Sequence, residues 1–468
     1  MSALAEFDPR SVAGVADLGA PTRAVALIRA SRPTSADVHL VQSGVGGHAL
    51  VVDGSRFYDL DAAAFAALRE AIGTGVGAEA LAAAGLARPT PAINGKPLEN
   101  PPVHALSLAV AQACNLGCTY CYAREGAFGG APKAMPLEIA KTSVDLMFAG
   151  KAPGERAHLA FMGGEPLIHR DVLRATTLYA AEEAEKRQIR VGFAITTNGT
   201  LLDETDADFF EAHGFAVTIS LDGPPELHDK LRPFKAGRGS FARIAKRIAP
   251  LLARQRKAQV SARVTVTPQH EDLPGILDAF INMGFHSVGF SPMLNSPSGR
   301  EEMSREDLTR MLEGMVACGL AFERRTIAGE RYPFANMLQA LREIHKGTHR
   351  PYPCGAGAGY LGVSASGDLF ACHRFVDDDA GALGSLAAGV DRARQADWLR
   401  DRHVLRQSPC NTCWARFLCG GGCHHETIAH ERRSCDYVRG WLHYCLGAYA
   451  RLSASAPALF GRDAAEAV

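Results

Sequence analysis

From about residue 106 to residue 290 the apolar positions fall into short runs separated by longer stretches of helical period. Strand-like runs start at Leu106 and recur at 157–162, 191–196, 216–220, 260–267 and 287–290, with helical patterns at 171–187, 204–213, 240–257 and 273–283. Repeated strand–helix units of this size imply parallel strands joined by right-handed crossovers, closed or partly closed into a barrel. Six such strands by themselves also admit an open doubly wound sheet. Upstream, 38–41 and 48–52 read as short strands around Gly44-Val45-Gly46-Gly47, and 57–61 leads into an Ala/Leu-patterned helix at 62–72. The proline-rich stretch from Arg88 to Pro102 reads as a linker. Residues 300–347 are charged and helical in pattern, and beyond Arg350 the chain turns to Gly, Cys and short turns. The expected division is therefore 1–100, 101–347 and 348–468.

A chain of 468 residues is too long for one ordinary core, in keeping with that division. Lys plus Arg equals Asp plus Glu, 50 against 50, which argues against a general nucleic-acid or membrane-surface field. Residues 1–8 lack a basic and then apolar signal pattern, and no apolar run is long enough to span a bilayer, so a cytoplasmic protein is expected. In that compartment twelve cysteines argue for metal ligation over disulfides. None precedes Cys114, Cys318 stands alone on an apolar helical face as an inert core residue, and eight fall between Cys354 and Cys445.

The first strand run empties into Cys114-Asn115-Leu116-Gly117-Cys118-Thr119-Tyr120-Cys121-Tyr122. Three thiolates at this spacing can ligate three irons of a cubane [4Fe–4S] cluster, leaving one iron for an external ligand. Structural zinc prefers a closed set of four, and no fourth Cys or His lies close by in sequence. The triplet, with Tyr120 before its last cysteine, resembles the signature of the radical S-adenosylmethionine (SAM) superfamily. That resemblance implies an open (β/α)6 partial barrel of the TIM type. It also implies that the open iron binds the amino and carboxylate groups of SAM, and that SAM is cleaved to a 5′-deoxyadenosyl radical.

Ligand chemistry in such barrels collects at the carboxyl ends of the strands. After the second strand comes Gly163-Gly164-Glu165, where side-chain-free backbone can approach a ligand and a carboxylate can receive an ammonium. It resembles the family's SAM methionine-binding motif. Thr197-Asn198-Gly199-Thr200 and Ser220-Leu221-Asp222-Gly223-Pro224 are ordinary turn chemistry in isolation. By resemblance Ser220 and Asp222 lie near the SAM ribose or the substrate, with proton acceptance as a second role open to Asp222. Arg263 resembles the residue that pairs with the SAM carboxylate, a structural salt bridge being the alternative. The run His228-Asp229-Lys230-Leu231-Arg232-Pro233 matches the family without a chemical role being assigned.

At the cysteine-dense end the spacing is Cys354-x12-Gly367-x4-Cys372, a gap of 37 residues, then Cys410-x2-Cys413-x5-Cys419-x3-Cys423, with Cys435 and Cys445 beyond. A zinc-ribbon reading of Cys410 and Cys413 alone leaves the rest unexplained. The pattern matches the SPASM extension of radical SAM enzymes, which carries two auxiliary [4Fe–4S] clusters, making three in all. By that resemblance Cys354, Cys372 and Cys423 serve the inner cluster, and Cys410, Cys413 and Cys419 the outer one, completed by Cys435 or by its rival Cys445. Gly355-Ala356-Gly357-Ala358-Gly359 stands where some relatives have a second cysteine, which leaves the inner cluster's fourth ligand open. His373 is a candidate base or donor, or else a support behind the cluster ligands.

The N-terminal strands and helix resemble the winged-helix-like, leader-binding α+β domain of many peptide-modifying enzymes; a plain extension packed on the barrel is the alternative. Residues 419–426 and 435–445 resemble the maturase of quinohaemoprotein amine dehydrogenase. That resemblance implies post-translational thioether bonds from cysteine sulfur to methylene carbons of Asp or Glu in the dehydrogenase small subunit, with an external electron donor. Two rivals stand beside it: an anaerobic sulfatase maturase making formylglycine, and an iron–sulfur electron-transfer or scaffold protein without SAM chemistry.

Overall fold

A computed structural model describes residues 20–32, 35–74, 77–86, 93–429 and 431–461. The first part of the expected linker, Arg88 to Ala92, lies outside the described residues. Three antiparallel strands come first, β1 (Val38–Ser43), β2 (Gly46–Val51) and β3 (Arg56–Leu60), followed by helix Ala62–Gly73, whose N-terminus is capped by Asp61. The sequence pattern indicates two of these strands; residues 56–60 add a third.

The main sheet contains β4 (Ala105–Gln112), β5 (Lys133–Ala134), β6 (Arg156–Gly163), β7 (Arg190–Thr197), β8 (Ala216–Ser220), β9 (Gln259–Val266), β10 (Ser287–Pro292), β11 (Tyr360–Val363), β12 (Asp368–Phe370), β13 (Ala382–Ser385) and β14 (Gly389–Val390). Six of them, in the order β4-β6-β7-β8-β9-β10, are all parallel. Because each new strand is added on the same side, right-handed crossovers place every connecting helix on one face. A doubly wound sheet reverses direction partway, so that alternative is removed and the other face is concave, as in a partial barrel. On β9 the two faces are distinct: Val260, Ala262, Val264 and Val266 are buried toward the helices, while Ser261, Arg263 and Thr265 face the concavity. The first crossover also contains helix Leu137–Phe148, with Ala140, Ser143, Val144, Met147 and Phe148 buried at helical spacing.

The barrel stays open. Asn336 closes the β10 edge by accepting from Phe290 N at 2.8 Å and donating to Phe290 O at 3.0 Å. At the other side β11 joins β4 in parallel register, Tyr360 opposite Ala105, and β12–β14 extend it antiparallel. The expected boundary near 348 therefore falls between segments that share one sheet. Gln112, fully buried, ties them by donating to Asp377 Oδ2 at 2.8 Å and accepting from Ala365 N at 2.9 Å.

The N-terminal sheet is anchored on the C-terminal region. Val41, Leu50 and Val52 join the main core, whereas Val38, Ala49 and Val51 on the opposite face form a small core with Leu68 and Ile72. Trp414, one residue after Cys413, stacks on His39 with ring centroids 3.7 Å apart and donates through Nε1 to Ser31 O at 2.6 Å. His39 in turn shares a 2.9 Å hydrogen bond with His443. Trp414→Ala is expected to destabilise the protein by about 3–5 kcal/mol, the usual cost of truncating a buried aromatic, read as a lower denaturant midpoint, with Trp414→Phe losing much less.

Candidate active site

The cysteine loop leaves the carboxyl end of β4 and is clamped from behind by residues 231–238. Gly117 N donates to Pro233 O at 2.8 Å and Thr119 N to Leu231 O at 3.0 Å, and Leu116 bridges to Phe234. The run from His228 to Pro233, without a role in the sequence, builds this clamp. Asp229 Oδ1 accepts from Ser240 N and Phe241 N, both at 2.7 Å. Burial, with Arg232 nearby, pushes His228 down to about 3, so it is neutral; Nδ1 accepts from Asp222 N, which leaves Nε2–H to donate to Ser240 Oγ at 3.0 Å.

Arg232 Nη1 donates to the Tyr120 hydroxyl at 2.7 Å, and that hydroxyl donates to Asp222 Oδ2. Asp222 Oδ1 accepts from Thr265 N at 3.0 Å. This geometry corrects the two expectations for Asp222. It is fully buried with both oxygens engaged, so it braces the loop and is not placed to receive a substrate proton or a ribose hydroxyl. Tyr120, 6 % exposed, likewise spends its hydroxyl on the brace.

Cys114, Cys118 and Cys121 lie close enough to influence one another electrostatically. Burial pushes the Cys118 thiol up to about 12, only partly opposed by Arg232, and raises Cys114 as well, so these two become thiolates only with a metal to hold them. Asn198 Nδ2 approaches Cys114 Sγ at 3.7 Å and donates to Asn115 Oδ1 at 2.9 Å, and Asn115 donates to Thr200 Oγ1 at 2.8 Å. Among the described residues no three His, Cys, Asp or Glu close on a single-ion position. Cubane ligands bind separate irons, so a cluster-forming set stands further apart than a mononuclear one. Three convergent, half-buried thiols thus fit a cluster.

Gly163 has φ +139°, and a Cβ there would meet Ala111 O at 2.3 Å; one on Gly164 would meet Ala113 O at 2.3 Å and Gly126 Cα at 2.7 Å. Both glycines are needed for β6 to press against the start of the cysteine loop. Glu165 departs from expectation. Fully buried, it accepts from Leu167 N at 3.0 Å, Thr197 Oγ1 at 2.7 Å and Asn198 N at 2.7 Å, so its carboxylate fastens strand ends and does not face a ligand. Burial raises its pKa despite those donors. A ligand at this motif would meet backbone.

Ser220, at the end of β8, is in register with Arg263 on β9. Arg263 is open to solvent yet ringed by protein, lining the concavity, and donates to Ser291 Oγ on β10. Arg374 stands nearby from the C-terminal region, donating to Glu426 Oε1 at 2.8 Å and reaching Cys423 Sγ at 3.7 Å, with its guanidinium carbon 5.4 Å from the Tyr122 ring centroid. His373 shares a 2.7 Å hydrogen bond with Tyr360 and meets Tyr122 edge-on at 6.1 Å; burial and then Arg374 push it down to about 3, leaving a neutral and weakly basic imidazole.

The cysteine-dense end separates into two groups. Cys354, Cys372 and Cys423 lie within mutual electrostatic range. Cys410, Cys413, Cys419 and Cys435 line one cavity together with Arg416, Arg432 and Arg439. The arginines offset the charge that four thiolates and a cluster would bring. Cys445 is corrected: ten residues along helix Cys435–Ser455, about 15 Å away, it is fully buried with Sγ 3.9 Å from Met337 Sδ. Cys318 is also fully buried. Arg232, Asn115, Asn198, Tyr122 and Arg374 were not singled out in the sequence, although each lies within or beside a motif that was.

Three substitutions test this layout. Cys435→Ser is expected to lose one cluster's iron and sulfide while Cys445→Ser keeps it, as measured on anaerobically purified protein. Gly164→Ala, with backbone on both sides of the new methyl, is expected to lose the iron of the first loop.

Residues 108–272 match the Radical SAM superfamily. The serine-type anaerobic sulfatase-maturating enzyme of Klebsiella aerogenes is 25 % identical over 350 residues, 71 % of this chain and 83 % of that one. Its counterpart from Bacteroides thetaiotaomicron is 25 % identical over 386 residues, 76 % and 90 % of the two chains. Among solved structures, native anSMEcpe with bound AdoMet superposes with a TM-score of 0.64 at 20 % identity, covering 76 % of this chain and all of that one. SuiB of Streptococcus suis bound to precursor peptide SuiA gives 0.51 at 15 % identity, over 85 % and 97 %. The barrel built on the cysteine loop carries the match to the Radical SAM superfamily, which implies SAM and a [4Fe–4S] cluster as cofactors, and its fold is similar to that of these solved structures.

Proposed function

We propose that the protein is a radical SAM peptide maturase that forms thioether bonds between cysteine sulfur and Asp or Glu methylene carbons in the small subunit of quinohaemoprotein amine dehydrogenase. The observation that carries the peptide-modifying part is the placement of a second cysteine trio, Cys354, Cys372 and Cys423, across Tyr122 and Arg374 from the first loop. Oxidative bond formation on a peptide releases an electron, and an acceptor beside the SAM site suits that need. The thioether specificity rests on the likeness of residues 419–426 and 435–445 to that maturase.

Cys114, Cys118 and Cys121 would hold the SAM-binding cluster, backbone at Gly163 and Gly164 and the Ser220 hydroxyl would receive SAM, and the two C-terminal groups would hold auxiliary clusters. Bound together, SAM and its cluster supply one-electron activation of an unreactive C–H bond. The chain's own residues orient the partners and shield them: Arg232, Tyr120 and Asp222 fix the loop, Gln112 fixes the C-terminal region beside it, and Tyr122 and His373 wall the space between. No described helix is long and apolar enough to cross a membrane. We expect a cytoplasmic enzyme supplied by a separate electron donor.

A sulfatase maturase is the second reading, favoured by the names of the relatives above. Anaerobic incubation of the small-subunit polypeptide with the holoenzyme, SAM and reductant is expected to remove two hydrogens per bond and make the same number of cysteines refractory to alkylation. Unchanged thiol reactivity, alongside oxidation of a sulfatase peptide's target residue, would establish the second reading instead.

A further inference from the structure

Arg374 stands two residues beyond Cys372, and Glu426 three beyond Cys423, so their ion pair joins two of the segments that carry the second cysteine trio. A side chain serving only as a tie would lay its guanidinium fork along both carboxylate oxygens. Arg374 instead divides its Nη1 between Glu426 Oε1 at 2.8 Å and Cys423 Sγ at 3.7 Å, and its Nε is buried without a hydrogen-bond partner. Tyr122, the residue after Cys121, lies against the same guanidinium, with 5.4 Å between ring centroid and guanidinium carbon. The Arg374 and Glu426 side chains are each 18 % exposed, so solvent and salt screen their charges little. The first trio is served differently. The donors that reach Cys114 Sγ are neutral, Asn198 Nδ2 at 3.7 Å and Leu116 N at 3.5 Å, while Arg232 gives its Nη1 to the Tyr120 hydroxyl. Arg374 therefore brings to Cys423 what Cys114 lacks, an N–H donor that carries a full positive charge.

We propose that Arg374 is a positioning residue for electron transfer, acting through Cys423 to raise the reduction potential of the inner auxiliary cluster, with Glu426 holding its guanidinium and moderating its charge. This rests on the reading of Cys354, Cys372 and Cys423 as ligands of that cluster. Net charge and hydrogen bonds to sulfur are among the determinants of an iron–sulfur potential. A cation donating to a ligand sulfur favours the reduced, more negative form, so it shifts the potential upward. Such a shift suits the centre that takes up the electron released by the peptide. Glu426 acts in the opposite sense, because its carboxylate lies against the same Nη1 and offsets part of the positive charge.

The test is an EPR-monitored redox titration of the anaerobic holoenzyme. The inner couple is identified as the one missing, with its iron, from Cys372→Ala. Arg374→Gln is expected to lower the midpoint of that couple by about 59 mV, a tenfold change in a one-electron equilibrium and the scale of one charge-assisted hydrogen bond. Arg374→Lys is expected to lower it less. Glu426→Gln, which leaves the guanidinium unopposed, is expected to raise it. The opposite signs separate a charge effect from a lost tie, which would disturb the centre in the same way from either end. A midpoint unmoved in Arg374→Gln, or one that falls in both variants, overturns the proposal. Should Arg374→Gln lose the cluster's iron, Glu426→Gln decides alone: a rise supports the proposal, and no change or a fall overturns it. If Cys372→Ala keeps all of the wild-type iron, the cluster reading fails and the role of Arg374 with it. An inner couple that is present but indifferent to both substitutions overturns the tuning and leaves the cluster reading in place.

Discussion

The architecture depends on the buried set Arg232, Tyr120 and Asp222. A cluster-bearing loop must present three sulfurs in one geometry while most of its backbone lies outside any sheet. The clamp solves this by running the chain after β8 back under the loop and bolting it with a fully enclosed guanidinium, a phenol and a carboxylate. Taking one partner from such a set costs about 3–5 kcal/mol, because the charge left behind has no water to turn to. The consequence reaches further than the loop. Asp222 also accepts from Thr265 N on β9 and, through its carbonyl, engages His270, so the loop, β8 and β9 move as one body.

A second set of constraints joins the ends of the chain. β11 continues the barrel sheet, Gln112 bonds the C-terminal turn, and Tyr122 lies between Arg374 and His373. The two cysteine trios are therefore held by one continuous sheet, which suits electron transfer between centres whose separation must not drift. The N-terminal sheet enters the same assembly through Trp414 and His39, beside Cys413 of the outer group. The segment that resembles a leader-binding domain in sequence thus packs beside the outer group.

Much of this was legible in the sequence because the controlling patterns are local. The cysteine spacing, the Gly-Gly pair and the strand–helix period each lie within a few residues, and barrel strands such as 216–220 fall where the apolar runs place them. What was not legible depends on who faces whom. Glu165 and Asp222 are carboxylates at the ends of barrel strands, and nothing in their neighbours reveals that partners 32 and 102 residues away in sequence occupy them. Cys435 and Cys445 look equivalent until a helix carries them about 15 Å apart. Arg232 passed without a role because its partner Tyr120 belongs to another motif. Helix Leu137–Phe148 shows the opposite case, since its buried positions keep helical spacing and could have been read.

The central claim is that the loop at the end of β4 holds a cluster that receives SAM, separate from two others. The most direct measurement is iron content and SAM cleavage in a variant with Cys114, Cys118 and Cys121 all changed to alanine. The account predicts that about one third of the iron is lost, that the remainder keeps the spectrum of the auxiliary centres, and that no 5′-deoxyadenosine forms. Unchanged iron, or continued SAM cleavage, would contradict it.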